Sequence, residues 1–123
     1  MSLPGEELQQ AARDAARALA NVSHGRPFTP HLDVWKVAAK VFLIVTDDDP
    51  DAQIITVKVD PYHSDALRRD YESITPGRYL DKQHWVSVSA GRGVTKSLIE
   101  DLVHGSYELV VDHLPKKDKP SGA

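Results

Sequence analysis

The stretch Arg78-Tyr79-Leu80-Asp81-Lys82-Gln83-His84-Trp85 sets cations between aromatic rings. Lysine and arginine neutralise phosphates and an open indole face stacks on a base, so a surface of this composition suits nucleic acid. The same residue types suit a groove in which an aromatic wall holds a ligand and one ammonium clamps its anionic end. Residues 84–89 alternate with period two, which predicts a strand. Trp85, Ser87 and Ser89 then share one face, and His84, Val86 and Val88 the other. If the valines face the core, Trp85 lies on the open face of the sheet and needs a partner or a loop to cover it.

Other chemistry is sparse. Gly91-Arg92-Gly93 supplies only two glycines of a dinucleotide fingerprint and reads as a turn. No His-Glu-x-x-His or Gly-x-Ser-x-Gly pattern occurs. His104 and His113 fall on opposite sides of a helix, and His24 and His31 straddle two prolines, so no histidine pair is spaced to hold a metal. Asp47-Asp48-Asp49-Pro50-Asp51 lacks the glycine and distal glutamate of a calcium loop and is expected to be a solvated connector. Ser106 is the odd residue of an otherwise apolar helical stripe. A nucleophilic serine needs a base within about 3 Å, and His113 lies two helical turns away, so a structural hydrogen bond to a helix carbonyl or to the sheet is expected. The chain is therefore expected to have no catalytic residues, no metal site and no cofactor, and not to be an enzyme.

The 123 residues suit one domain, and the absence of cysteine excludes a disulfide framework, a thiolate metal site and a cysteine nucleophile. A net charge of −3 excludes a broadly basic nucleic-acid coat protein. The acid excess is concentrated in residues 34–75, while residues 76–123 carry a slight basic excess. The longest apolar run, Val41-Phe42-Leu43-Ile44-Val45, is far short of a membrane span of about 20 residues. With no basic-then-apolar leader at the N-terminus, a cytoplasmic location without membrane partners is expected.

These candidate groups must be carried by a few elements. Residues 6–22 predict a helix whose inner stripe (Leu8, Ala11, Ala12, Ala15, Leu19, Val22) is mostly alanine and can lie close on a sheet, ended by Ser23-His24-Gly25. Residues 34–37 and 40–46 predict two strands linked by Ala38-Ala39, and residues 53–59 a third. Asp60-Pro61 opens a second helix running to about residue 71, with Ala66, Leu67 and Tyr71 inward. Residues 74–82 read as mixed turn and short strand. Thr95 caps a last helix over 96–113, whose stripe contains Leu98, Ile99, Leu102, Val103, Leu109 and Val110, with Ser106 and His113 inside its angular range. Residues 1–114 are expected to form the domain and 115–123 a disordered basic tail. Helices interrupting antiparallel strands predict an α+β two-layer sandwich.

Val34-Trp35-Lys36-Val37-Ala38-Ala39-Lys40-Val41-Phe42, Val57-Lys58-Val59-Asp60-Pro61, Thr75-Pro76-Gly77-Arg78-Tyr79-Leu80-Asp81-Lys82-Gln83-His84-Trp85-Val86 and Ser106-Tyr107-Glu108-Leu109-Val110 together resemble the MmcQ/YjbR family of small bacterial proteins, over residues 5–115. The Lys-x-His-Trp and Ser-Tyr-x-Leu-Val pieces are the most specific. The chain departs from the family pattern at Ala38-Ala39, where a glycine is usual, and at Asp81, where asparagine is common. The resemblance implies a sandwich similar in outline to the "double-wing" domain of a phage transcription activator, and with it a DNA-binding label; it brings no catalytic residues.

Two readings follow. In the first, Lys82, Arg78, His84, Trp85, Lys40, Lys36 and Lys58, assisted by Lys116, Lys117 and Lys119, form a local patch that binds DNA weakly and salt-sensitively. In the second, Tyr79, Trp85, Tyr107 and Phe42 line a groove for a small molecule or a protein segment, with Lys82 or Lys58 as anion clamp.

Overall fold

The computed structural model describes residues 3–46, 53–77 and 80–119. The acidic run at 47–51, and with it the calcium-loop question, lies outside the described residues, as do Arg78 and Tyr79.

The first helix, α1 (Gly5–Arg17), carries Glu6 and Glu7 in its first turn and Arg17 in its last, each charge opposing the helix dipole. It buries Leu8, Gln9, Ala11, Ala12, Ala15 and Ala16. It stops five residues short of the predicted end. Asn21 takes a positive φ of 59°, a conformation asparagine tolerates, and turns the chain into a short strand, β1 (Val22–Gly25). Val22 fits the helical spacing by coincidence, and β1 has only that one β-branched residue to announce it.

Next come β2 (Leu32–Val37) and β3 (Lys40–Thr46), an antiparallel hairpin. Its two-residue turn places Ala38 at φ 48° and Ala39 at φ 66°. A mirror-image turn of this kind matches the twist of the strands and ordinarily takes Asn-Gly or Gly-Gly. The tight turn therefore forms with alanine at both left-handed positions. The register slips between Trp35 and Lys36, whose partners are Leu43 and Val41, so Phe42 bulges out of the ladder with no partner on β2.

After β4 (Ile54–Lys58), Asp60 caps α2 (Pro61–Asp70) by accepting from the His63 amide at 2.9 Å, with Pro61 in the first turn. Leu67 is buried, while Ala66 and Tyr71 are half-buried. Two further strands, β5 (Ile74–Pro76) and β6 (Trp85–Val88), precede α3 (Lys96–Asp112), which Thr95 caps through the Leu98 amide. The segment expected to be disordered starts with a single 3-10 turn, Lys116–Asp118, in which no residue is buried.

The six strands form one antiparallel sheet in the order β1-β2-β3-β4-β6-β5, which with the three helices makes the α+β fold predicted. The core joins Leu8 and Ala12 of α1, Leu67 of α2 and Ile99, Leu102, Val103 and Val110 of α3 to one face of the sheet, where Trp35, Leu43, Val45, Ile55, Val57, Val86 and Val88 point. On the opposite face Val34, Ile44, Thr56 and Ser87 stand in register across four strands and are also buried, with the Thr56 and Ser87 hydroxyls 2.9 Å apart.

Two polar contacts fix the layers. The Gln9 side-chain amide donates to the carbonyls of Thr46 and Ile54, gripping β3 and β4 together from α1. The buried carboxylate of Asp33 accepts from Arg13 of α1 at 3.1 Å and from His24 of β1 at 3.2 Å. The His24 ring stacks on Trp35 (4.0 Å, 8°), so edge strand β1 is held to the core by a ring and a charge.

Candidate functional site

Three adjoining clefts open at the end of the sheet where β4 finishes and β6 begins, beside α3, and Lys58 lines all of them. The backbone of Lys58 is fixed in an unusual way. The register that pairs Leu43 with Val57 sets Phe42 opposite Lys58, at the bulge. Ser106, fully buried on α3, fills the gap: its hydroxyl accepts from the Lys58 amide at 2.8 Å and donates to the Phe42 carbonyl at 2.6 Å. The helix serine thus supplies a missing rung of the ladder, satisfying one donor and one acceptor that are otherwise unpaired. Of the two structural roles expected for it from sequence, a hydrogen bond to a helix carbonyl or to the sheet, it has the second.

The first cleft, about 370 Å³, is lined by Lys58, Asp60, Asp81, His84, Trp85, Leu109 and His113 among others. Its two histidines are oriented alike. His84 Nδ1 lies 2.7 Å from an Asp81 carboxylate oxygen, and His113 Nδ1 lies 2.7 Å from the Leu109 carbonyl. Both partners are acceptors, so each Nδ1 carries the proton and each ring leaves Nε2 for other contacts. Asp81 also accepts from the Gln83 amide at 2.9 Å. That backbone bond, then the His84 ring, hold the Asp81 carboxyl below the usual carboxylate range. The second cleft, about 410 Å³, is lined by Lys40, Val41, Lys58, Trp85, Val110, His113 and Leu114. The third shares Lys58, Val59, Asp60 and Leu109 with the first and adds His63, Asp101 and Gly105 to its wall.

Trp85 forms the wall shared by the first two clefts and is half-buried. The valine face of β6 is indeed the core face, which leaves the indole off it. It is backed by Gly77, whose amide donates to the Trp85 carbonyl at 2.8 Å. A Cβ on Gly77 would stand 2.6 Å from that of Trp85, so only glycine fits.

The sequence-predicted residues separate accordingly. Lys58, His84, Trp85 and Lys40 come together around the clefts. Lys36 does not join them: it lines a different cleft, with Ser23, His24, Arg26, Pro27 and Val34 near edge strand β1. Lys82 lines none of these clefts and is exposed, its ammonium 3.4 Å from the Gly77 carbonyl. Two expected groove residues are corrected outright. Phe42 is 0% exposed and Tyr107 8%, and their rings meet edge to face at 5.4 Å inside the core. Phe42 is turned inward by the bulge, and Tyr107 is tethered by its hydroxyl, which donates to the Ala20 carbonyl at 2.7 Å. Neither has surface to offer a ligand.

Sequence reasoning missed Asp60, Asp81, Leu109 and His113 as liners. For His113 the signal was present: it lies inside the apolar stripe of α3, which aims it at the sheet. Among the described residues no group of three or more histidine, aspartate or glutamate side chains is placed to hold a metal ion, and no helix is long and apolar enough to cross a membrane.

The YjbR family model matches residues 17–109, which contain Lys40, Lys58, His84, Trp85 and Ser106. The chain belongs to the YjbR family. It is 35% identical to the uncharacterised protein YbdF of Escherichia coli O157:H7 over 114 residues, 93% of each chain. It is also 35% identical to the uncharacterised protein YyaQ of Bacillus subtilis over 63 residues, 51% of this chain and 52% of that one. In structure it is similar to the Deinococcus radiodurans protein DR2400, a DUF419 domain, with a TM-score of 0.78 and 30% identity over 86% of this chain and 80% of that one. The family resemblance read from the four sequence pieces is thereby shown, and with it the α+β architecture.

Proposed function

We propose that this YjbR domain is a binding module for a small organic anion, seated in the clefts around Lys58 and Trp85. The observation that carries the reading is the placement of Lys58. Its side chain serves three adjoining clefts, beside an indole and two oriented imidazoles, and meets no carboxylate within ion-pair reach among the described residues. A cation held in a concavity with an aromatic wall is what an anion with an apolar body needs, the charge fixing orientation and the ring supplying contact area. Asp60 and Asp81 rim the same cleft. They set a limit on a long polyanion that they do not set on one small anionic group placed against the ammonium.

The test is fluorescence and calorimetry on a panel of carboxylates and phosphorylated metabolites. Trp35 is buried and Trp85 is not, so binding should change the Trp85 component of the emission and leave that of Trp35. Lys58→Gln should weaken binding at least about tenfold, the size of one charge-assisted hydrogen bond. A panel that moves neither emission nor melting temperature would sink the proposal.

DNA is the second reading, and one observation favours it. Lys40 and Lys58 share the second cleft, and Leu114 on its wall leads directly into the exposed Lys116, Lys117 and Lys119. If about four phosphates are neutralised there, log affinity should fall against log salt with a slope near −3.6. An anisotropy titration of duplex and single-stranded DNA at about 50 and 200 mM salt decides it, and absence of saturable binding at the lower salt removes it.

A further inference from the structure

We infer that the anion group seated beside Lys58 is a tetrahedral dianion, the phosphoryl group of a monoester whose body carries a planar ring, and that its binding draws a proton onto the imidazoles of His84 and His113. The inference rests on the small-anion reading above and narrows it to a ligand class. Each of the two rings has its Nδ1 proton committed, one to the Asp81 carboxylate and one to the Leu109 carbonyl, both at 2.7 Å. A neutral ring so tied offers Nε2 only as an acceptor, which repels an anion's oxygens; a protonated ring offers it as a charged donor.

A planar carboxylate with one charge is served by Lys58 alone. A tetrahedral dianion has more oxygens and twice the charge, and calls for further donors from other directions. The first cleft supplies them from separate elements: Lys58 from β4, His84 from the turn entering β6, and His113 from the end of α3. The other charged groups facing this cleft are Asp60, which caps α2, and Asp81. Asp81 is already bonded to His84 Nδ1. Lys40 lines the second cleft, and His63 and Asp101 line the third. The Trp85 indole then offers its surface to the planar ring of the same molecule.

Titration calorimetry tests this on the full chain with adenosine 5′-monophosphate, sulfate, adenosine and acetate. Sulfate is needed because it has no proton of its own to lose or gain near neutrality, so any proton taken up on its binding goes to the protein. In buffers of differing ionisation enthalpy near pH 7, sulfate and the nucleotide should bind with net proton uptake. The affinity for sulfate, whose own charge is constant over this range, should fall as pH rises from about 6 to 8. The nucleotide should bind at least about tenfold tighter than adenosine or acetate. His84→Gln with His113→Gln should remove the uptake and the pH dependence while leaving the residual Lys58-dependent affinity. Acetate binding as tightly as sulfate, or dianion binding with no proton uptake, overturns the inference and leaves the small-anion reading standing. If no anion binds wild type while Lys58→Gln is equally silent, both fall. If only oligonucleotides bind, with a steep salt slope, the DNA reading replaces them.

Discussion

Ser106 shows how a polar residue in an apolar helix stripe earns its place: the hydroxyl satisfies the Lys58 amide and the Phe42 carbonyl together. Ser106→Ala leaves both groups buried and unpaired, and an unsatisfied buried polar group costs about 1–3 kcal/mol. Urea denaturation should therefore find the variant destabilised by about 2–4 kcal/mol. Because the lost bond also sets the backbone of Lys58, anion affinity should fall in the same variant even where it is fully folded. An alanine variant with wild-type stability would mean that the bulge closes without its rung. The sequence made the oddness of this serine legible, through its angle on the helix. It could not supply the partner, because a β-bulge depends on the register of two strands and leaves no local pattern.

At the scale of elements, the hairpin between β2 and β3 is the clearest strained feature. Ala38 and Ala39 both sit at positive φ, where a Cβ crowds the backbone at a cost of roughly 1–2 kcal/mol each. Replacing Ala38-Ala39 by Asn-Gly should stabilise the domain by about 1 kcal/mol, since part of the relief is offset by the greater freedom of glycine in the unfolded chain. Thermal melts check this, and a lower melting temperature would contradict it. Gly77→Ala should act in the opposite direction and also shift Trp85 emission, because the new methyl meets the Trp85 Cβ. Elements with strong periodicity or a cap were readable in advance: α2 from Asp60-Pro61, α3 from Thr95, and β3 from its apolar run. The end of α1 was not, nor β1, because Val22 continues the helical spacing and the turn at Asn21 rests on one backbone angle. The site was half legible. Lys58, His84 and Trp85 were named and do converge, while Phe42 and Tyr107 were placed in a groove because aromatic composition does not say which rings the core takes.

For the whole molecule, two titrating groups shape the stability profile at its ends. The Asp81 carboxyl is lowered by hydrogen bonds from Gln83 and His84, so it stabilises the fold above the unfolded value of about pH 4 and loses that contribution as pH falls through the folded value. Asp81→Asn should flatten this part of the acid limb in pH-dependent urea melts. The Tyr107 phenol is raised by burial. The fold therefore keeps its full stability below the unfolded value of about pH 10 and loses stability as the pH climbs past it, when an anion must form in the core. Tyr107→Phe should flatten the alkaline limb at a constant cost of about 1 kcal/mol for the bond to Ala20. An unchanged alkaline limb in that variant would show that another group governs it. The rung made by Ser106 has one more consequence, for how such a domain can evolve. It spans 64 residues of sequence, from Phe42 to Ser106, and couples a helix position to an irregularity in a strand. A one-residue insertion in α3 ahead of Ser106 turns the hydroxyl by about 100° and removes it from the sheet. A family member that straightens β3 by one deletion has no further use for the serine. The bulged strand and the helix hydroxyl should accordingly be gained and lost as a pair, and a chain carrying one without the other should have moved the cation now at Lys58 elsewhere.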